Sequence, residues 1–295
     1  MVIKKLLFPT KFQELAFNAL ECLLDMKKIG LEEIVLAHVI DREEVGFVPY
    51  GGYLKEEEIR MREEAQIRFE DWQKALVKRG LRSKIRIEVG NPIPEVLRIA
   101  DEEGVDLIVA GRKNRSNLEK AHIGSHTLEL MRHSSLPVLI CKYMVQYERQ
   151  GERVTQVNEH PFRRPLLATD WSPNSRKALT LAASFKGLAE KILVAHVIEA
   201  KICKGCDASE VERLKKESNE RLAAYCRELE QQGLAAEAHL YSGPSVPALI
   251  DLSREQKATM IIMGTTGKDR FREFWLGSVS HRVAEFSELP VLLVP

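Results

Sequence analysis

The segment Ile34-Val-Leu-Ala-His-Val-Ile40 recurs as Ile192-Leu-Val-Ala-His-Val-Ile198, displaced by 158 residues. Three later pairs share a displacement of 153: Gly90-Asn-Pro-Ile-Pro94 with Gly243-Pro-Ser-Val-Pro247, Gly124-Ser125 with Gly277-Ser278, and Leu136-Pro-Val-Leu139 with Leu289-Pro-Val-Leu292. A displacement held over this distance means one whole folding unit written twice, with five residues gained or lost between His38 and Gly90. It excludes the short periods of solenoid repeats. At 295 residues the chain has room for two domains of ordinary size. The units are expected at 1–142 and 164–295. Between them, 143–163 reads as a linker, because its charges, Gln, Asn, Gly151 and Pro161 show no apolar period.

Within each copy short apolar runs alternate with segments of helical period. The first copy predicts strands at 4–8, 33–40, 84–89, 105–110 and 137–141, and helices at 14–28, 56–78, 94–103 and 125–133. The second predicts strands at 165–169, 191–198, 237–241 and 259–263, helices at 173–188, 209–232 and 246–256, then a final helix and strand. Gly80 and Gly104 stand where two of the helices should stop. Near-continuous apolar strands separated by helices indicate parallel sheets covered on both faces. The expected class is therefore α/β, with two tandem doubly wound domains.

Composition narrows the partners. Hydrophobic residues make up 44% and charged residues 29%, which places the chain among ordered globular proteins. With 44 Lys+Arg against 43 Asp+Glu the net charge is +1, so no global basic field draws it to nucleic acid or to anionic membrane. No apolar run approaches the roughly 18 residues of a membrane span, and the N-terminus turns polar after Pro9, before a secretory core could be completed. A cytoplasmic location is expected. Five cysteines spread over this length do not form a secreted disulfide framework, so reduced thiols are the default.

In an open α/β sheet ligands bind beyond the carboxyl ends of the strands, where the strand order reverses. In the second copy the first strand ends in Ala168-Thr169-Asp170-Trp-Ser172. The fourth is followed by Gly264-Thr265-Thr-Gly267, nine residues, then Gly277-Ser278 opening a helix. Gly264 and Gly267 would permit positive φ and bring backbone N–H groups close to an anion. Gly277 and Ser278 would add amides and a hydroxyl at a helix N-terminus, where the dipole favours negative charge. A polyanion could then be held from two sides, with Asp170 accepting from a ribose or base.

This arrangement, Gly-x2-Gly-x9-Gly-Ser after a fourth strand with Thr-Asp after a first and Ala-His-Val in a second, resembles the universal stress protein family and its ATP-binding signature, and does so twice along the chain. The resemblance implies five-stranded domains of strand order 3-2-1-4-5 with helices on both faces, adenine nucleotide binding, and dimerisation through the last strand; in a tandem chain the two halves would pair with each other. It implies ATP or AMP as ligand, with Mg²⁺ accompanying the phosphates of ATP. Carried over by residue, the second copy's site comprises Ala168, Thr169, Asp170, Val197, Met263, Gly264, Thr265, Gly267, Gly277, Ser278 and Val279. The first copy retains Pro9, Thr10, Val39, Gly111, Gly124 and Ser125 but has Lys11 in place of Asp and Asn114 in place of the second Gly. Its site is expected to bind weakly or differently. A homodimer of the whole chain is a further expectation.

No catalytic constellation is visible. His122, His126 and His281 lie near the phosphate loops without a partner acid or nucleophile at a suitable spacing, and no metal site is expected. His38 and His196, in apolar strands, read as hydrogen-bonded core residues. Cys203-Lys-Gly-Cys206 reads either as loop thiols or as half of a shared zinc or redox pair. Phe271, Phe274 and Trp275 would cap the site, meet a partner or pack on the domain. The function expected is a nucleotide-responsive binding module; slow ATP hydrolysis of the adenine-nucleotide hydrolase-like type, or an interaction protein with a vestigial pocket, are the alternatives.

Overall fold

The computed structural model describes residues 2–12, 16–46, 54–111, 124–142, 144–149, 152–199, 207–266 and 277–295. In the first copy the elements run β1 (Lys5–Pro9), α1 (Ala16–Glu21), β2 (Glu33–Asp41), α2 (Lys55–Lys78), β3 (Arg82–Gly90), α3 (Pro92–Glu103), β4 (Leu107–Gly111), α4 (Ser125–His133) and β5 (Val138–Cys141). A hairpin of β6 (Met144–Arg149) and β7 (Glu152–Val157) follows. The second copy continues with β8 (Pro165–Ala168), α5 (Pro173–Ala183), β9 (Ile192–Ile198), α6 (Ala208–Gln231), β10 (Ala236–Ser242), α7 (Ser245–Glu255), β11 (Met260–Gly264), α8 (Ser278–Phe286) and β12 (Val291–Val294).

Local signals account for several boundaries. Ser172 caps α5 by accepting from the Ser175 N–H, with Pro173 at the first helical position. Asp207 and Glu210 form a reciprocal capping box at the start of α6. Gly104 ends α3 at φ 59°, a left-handed conformation that costs a glycine no steric strain. Two expectations are corrected. The helix foreseen at 14–28 divides, because α1 gives way to a 3-10 stretch over Leu24–Ile29. Leu20, Leu23 and Met26 are all fully buried, and their spacing of three suits a three-residue turn. The helix foreseen at 173–188 stops at Ala183, where the Ser184 hydroxyl donates to the Leu181 carbonyl and the buried Phe185 turns inward. The linker contains regular structure: Met144 pairs with Val157 through to Arg149 with Glu152, antiparallel.

The strands of the two copies form one ten-stranded sheet, in the order β10-β9-β8-β11-β12-β5-β4-β1-β2-β3. Each half thus has the order 3-2-1-4-5, parallel within itself. The halves join where β12 and β5 pair antiparallel, with Val291 opposite Ile140, Leu292 opposite Leu139 and Leu293 opposite Val138. Under the 153-residue displacement that register maps onto itself, which is the signature of an isologous two-fold contact. Its axis passes between Leu139 and Leu292. On the face covered by α1, α2, α5 and α6 a single apolar core runs through both halves. On the other face each half has its own cluster, and Met131 and Ile140 of the first copy belong to the cluster of the second.

Candidate functional site

The carboxyl ends of β8 and β11 lie side by side, since Leu167 pairs with Ile262 in the register of the two strands. At the end of β8, the Thr169 N–H donates to the Ala195 carbonyl at 2.9 Å, continuing the sheet by one residue. The Thr169 hydroxyl accepts from the Trp171 N–H at 3.1 Å and donates to the Ser175 hydroxyl at 3.1 Å. Asp170 accepts from the Ser172 N–H at 3.0 Å through one carboxylate oxygen, so its side chain is held in a local turn at the mouth of the crevice. Between them Trp171 takes a positive φ of 66°. That conformation lays its ring against His196, with centroids 4.8 Å apart, and against Tyr225 at 5.2 Å.

The turn after β11 is tied down from both sides. The Thr265 N–H donates to the Val294 carbonyl at 2.9 Å, while its own carbonyl accepts from the Gly277 N–H at 2.7 Å and from the Ser280 hydroxyl at 2.7 Å. The Thr266 carbonyl accepts from the Ser172 hydroxyl at 3.3 Å, and the Asn174 amide donates to the Thr266 hydroxyl at 2.7 Å. The end of β8, the turn after β11 and the start of α8 therefore form one hydrogen-bonded unit. Ser278 is exposed and Val279 half-buried in the first turn of α8, where helix amides have no intrahelical acceptor. Beneath this rim Ala168, Val197 and Met263 are buried in the apolar cluster of the second copy, with Val279 packed on it. Amides and hydroxyls above an apolar floor can take a ligand with a flat apolar part and an anionic tail.

Gly264 does not adopt the positive φ that its sequence context suggests. A Cβ there would lie 2.9 Å from Asn174 C, from Asn174 Cβ and from the Ser175 nitrogen, so the missing side chain lets α5 approach β11. Ser172, Asn174, Thr266 and Ser280, which no sequence motif singled out, prove to be the tethers. The Ser172-Pro173 pair was the one available signal, as a helix start.

The first copy repeats the β8 arrangement at the end of β1. The Thr10 N–H donates to the Ala37 carbonyl at 2.9 Å, the Phe12 N–H donates to the Thr10 hydroxyl at 2.9 Å, and Phe12 takes φ 53°. In both copies the strand histidine donates Nδ1–H to the threonine carbonyl, His38 to Thr10 at 2.8 Å and His196 to Thr169 at 2.7 Å. Burial lowers the His38 pKa below its ordinary value, against the opposing pull of that hydrogen bond. Pro9 ends β1, and Val39 is buried in the first copy's cluster. Gly111 ends β4, and Gly124 caps α4 just before Ser125. Lys11 points to Glu44 at 3.9 Å, both about half exposed. Gly267, Asn114, His122, Cys203, Cys206, Phe271, Phe274 and Trp275 lie outside the described residues. Among the described residues no three His, Cys, Asp or Glu side chains converge on a cation site, and no helix is long and apolar enough to cross a membrane.

The family model described as "Universal stress protein family" matches the chain twice, over residues 3–142 and 161–295. Universal stress protein MJ0577 of Methanocaldococcus jannaschii is 34% identical over 156 residues, which is 48% of this chain and 96% of that protein. Universal stress protein YxiE of Bacillus subtilis is 26% identical, over 45% of this chain and 99% of its own. In fold, a crystal structure of a universal stress protein from Archaeoglobus fulgidus superimposes with TM-score 0.73 at 24% identity, covering 100% of this chain and 99% of that one.

Proposed function

The chain belongs to the universal stress protein family, and on that premise we propose that it binds an adenine nucleotide, ATP or AMP, with the second copy as the main site. The observation that carries this reading is the hydrogen-bonded unit of Thr169–Ser172, Thr265–Thr266 and Gly277–Ser280 over an apolar floor. The residues present fit the ligand. Ala168, Val197 and Met263 would bear on the base, and Thr169 and Asp170 would meet the adenosine. Gly264, Thr265, Gly267, Gly277, Ser278 and Val279 would surround ribose and phosphates. Mg²⁺ would be held by the phosphates of ATP. In the first copy Lys11 and Asn114 break the pattern around Pro9, Thr10, Val39, Gly111, Gly124 and Ser125, and binding there is weaker.

Such a site works by differential binding: a nucleotide that joins the β8 and β11 turns to α8 favours the conformation in which all three are docked, and shifts the population toward it. The protein acts as a nucleotide-responsive module in the cytoplasm, associating further into a homodimer. Three tests bear on this. Denaturing the purified protein and identifying what is released by mass spectrometry should yield ATP or AMP. Isothermal titration should give one tight site per chain; two equal tight sites would overturn the assignment to the second copy. Phosphate release at the same background rate in wild type and Gly267→Asp separates a binder from a hydrolase.

A further inference from the structure

Lys142 follows β5 directly and is only 4% exposed. Its ammonium crosses from the first copy into the second, where it donates to the Ala284 carbonyl at 3.0 Å and to the Ser287 carbonyl. Those two carbonyls belong to the last turn and the C-cap of α8. A cation there meets the negative end of the helix dipole and satisfies acceptors that the helix leaves open. The opposite end of α8 carries Ser278 and Val279. With nine residues α8 has about two and a half turns, a length at which a helix in isolation is unstable and depends on its ends and its packing.

Among the described residues the arrangement is one-sided. The caps of α4 and α8 are otherwise alike: Ser134 hydroxyl donates to the Leu136 carbonyl as Ser287 does to that of Leu289. The position related to Lys142 by the 153-residue displacement is Pro295, which has no cation to offer α4. The helix that receives the lysine is the one in the copy whose Gly-x2-Gly-x9-Gly-Ser motif is intact.

We propose that Lys142 is a positioning residue for the nucleotide site of the second copy: by pinning the C-terminal turn of α8 from the other half, it holds the helix's first-turn amides where the phosphates dock. This rests on the nucleotide reading above, and the two can be tested apart. Hydrogen exchange over 281–286 in the nucleotide-free protein reports whether the lysine holds α8. Titration with ATP and with adenosine reports whether that matters to phosphate.

In Lys142→Met the α8 amides should exchange faster and ATP should bind about tenfold more weakly, the scale of one lost buried charge–dipole contact, while adenosine affinity stays unchanged. Lys142→Arg should restore both. Should Lys142→Met fail to fold, Lys142→Gln, which keeps a donor without the charge, should show the same loss confined to ATP. Unchanged exchange over α8, or faster exchange with ATP affinity intact, overturns the proposal. So does an equal loss for adenosine, which marks a general structural role. If the wild type binds neither ligand, the nucleotide reading fails and the positioning role falls with it, even where exchange shows that the lysine secures the helix.

Discussion

Replacing Gly264 by alanine tests the approach of α5 to β11. The added Cβ would sit 2.9 Å from three atoms of the Asn174–Ser175 segment, two of them backbone. Carbon atoms rest at about 3.5–4.0 Å, so α5 and β11 must separate by roughly 0.6 Å. Overpacking of that kind costs about 1–3 kcal/mol. The Ser172 hydroxyl already reaches the Thr266 carbonyl at 3.3 Å, so the same movement takes that bond beyond useful range and loses about 1 kcal/mol more. At about 2–4 °C per kcal/mol for domains of this size, the melting temperature should fall by roughly 5–10 °C. The related substitution in the first copy, Gly111→Ala, meets no atom within 4 Å at an ordinary φ and should change stability by about 0.5 kcal/mol or less. Circular dichroism melts and urea titrations of the two variants give the comparison. Equal losses in both, or a Gly264→Ala protein that melts with the wild type, would refute the claim that this glycine exists for helix–strand approach.

Asp170→Asn keeps an oxygen for the Ser172 N–H while removing the charge, so folding should be unaffected and ATP affinity should fall roughly tenfold; an unchanged calorimetric constant removes Asp170 from the site. Burial holds the pKa of His38 below 6.5, and burial likewise lowers that of His239. The unfolded chain therefore takes up protons first as pH falls. The stability from both rings is complete above pH 6.5 and is lost progressively below it, so the urea midpoint should be lower at pH 5.5 than at 7.5, with a smaller difference in His38→Gln. Burial pushes the thiols of Cys22 and Cys226 up to about 11 and that of Cys141 to about 12. Iodoacetamide at pH 8 should leave Cys141 unmodified in the native protein, and peptide mapping that finds it alkylated as fast as in urea would contradict its burial.

The repeat and the strand pattern carried most of the architecture, because near-continuous apolar runs and helix caps are local signals. Helix 125–133 has the expected bounds, and the paired histidines already marked equivalent strands. What the sequence concealed was non-local. The tethers of the crevice join Ser172 to Thr266 and Asn174 to Thr266 across 94 and 92 residues, and no periodicity records such a partner. Gly264 was legible as a required glycine but its close helix approach was not: a phosphate turn and a packed helix both favour a missing Cβ, and only the position of α5 reveals the second demand. In 143–163 the frequency of charged and amide residues masked a strand pair whose backbone register is regular. At 14–28 a spacing of three was absorbed into a helical period, although Leu20, Leu23 and Met26 call for the tighter turn.

Fusion of two copies explains how the halves can differ. In an isologous homodimer every substitution occurs on both sides of the axis, so a lysine after the last strand would reach the corresponding helix twice, and a lysine at the position of Asp170 would alter both crevices. Here the β5–β12 contact keeps the two-fold register about Leu139 and Leu292, while the chain is free to place Lys142 on one side and Pro295 on the other, Lys11 in one crevice and Asp170 in the other. The first copy adds Met131 and Ile140 to the apolar cluster of the second copy and a buried ammonium to its helix α8. Those contributions do not depend on the first copy binding anything. On the proposed reading the first copy is relieved of that requirement, its own motif can diverge at no cost to the site it would support, and the departures at Lys11 and Asn114 would be the form such relief takes.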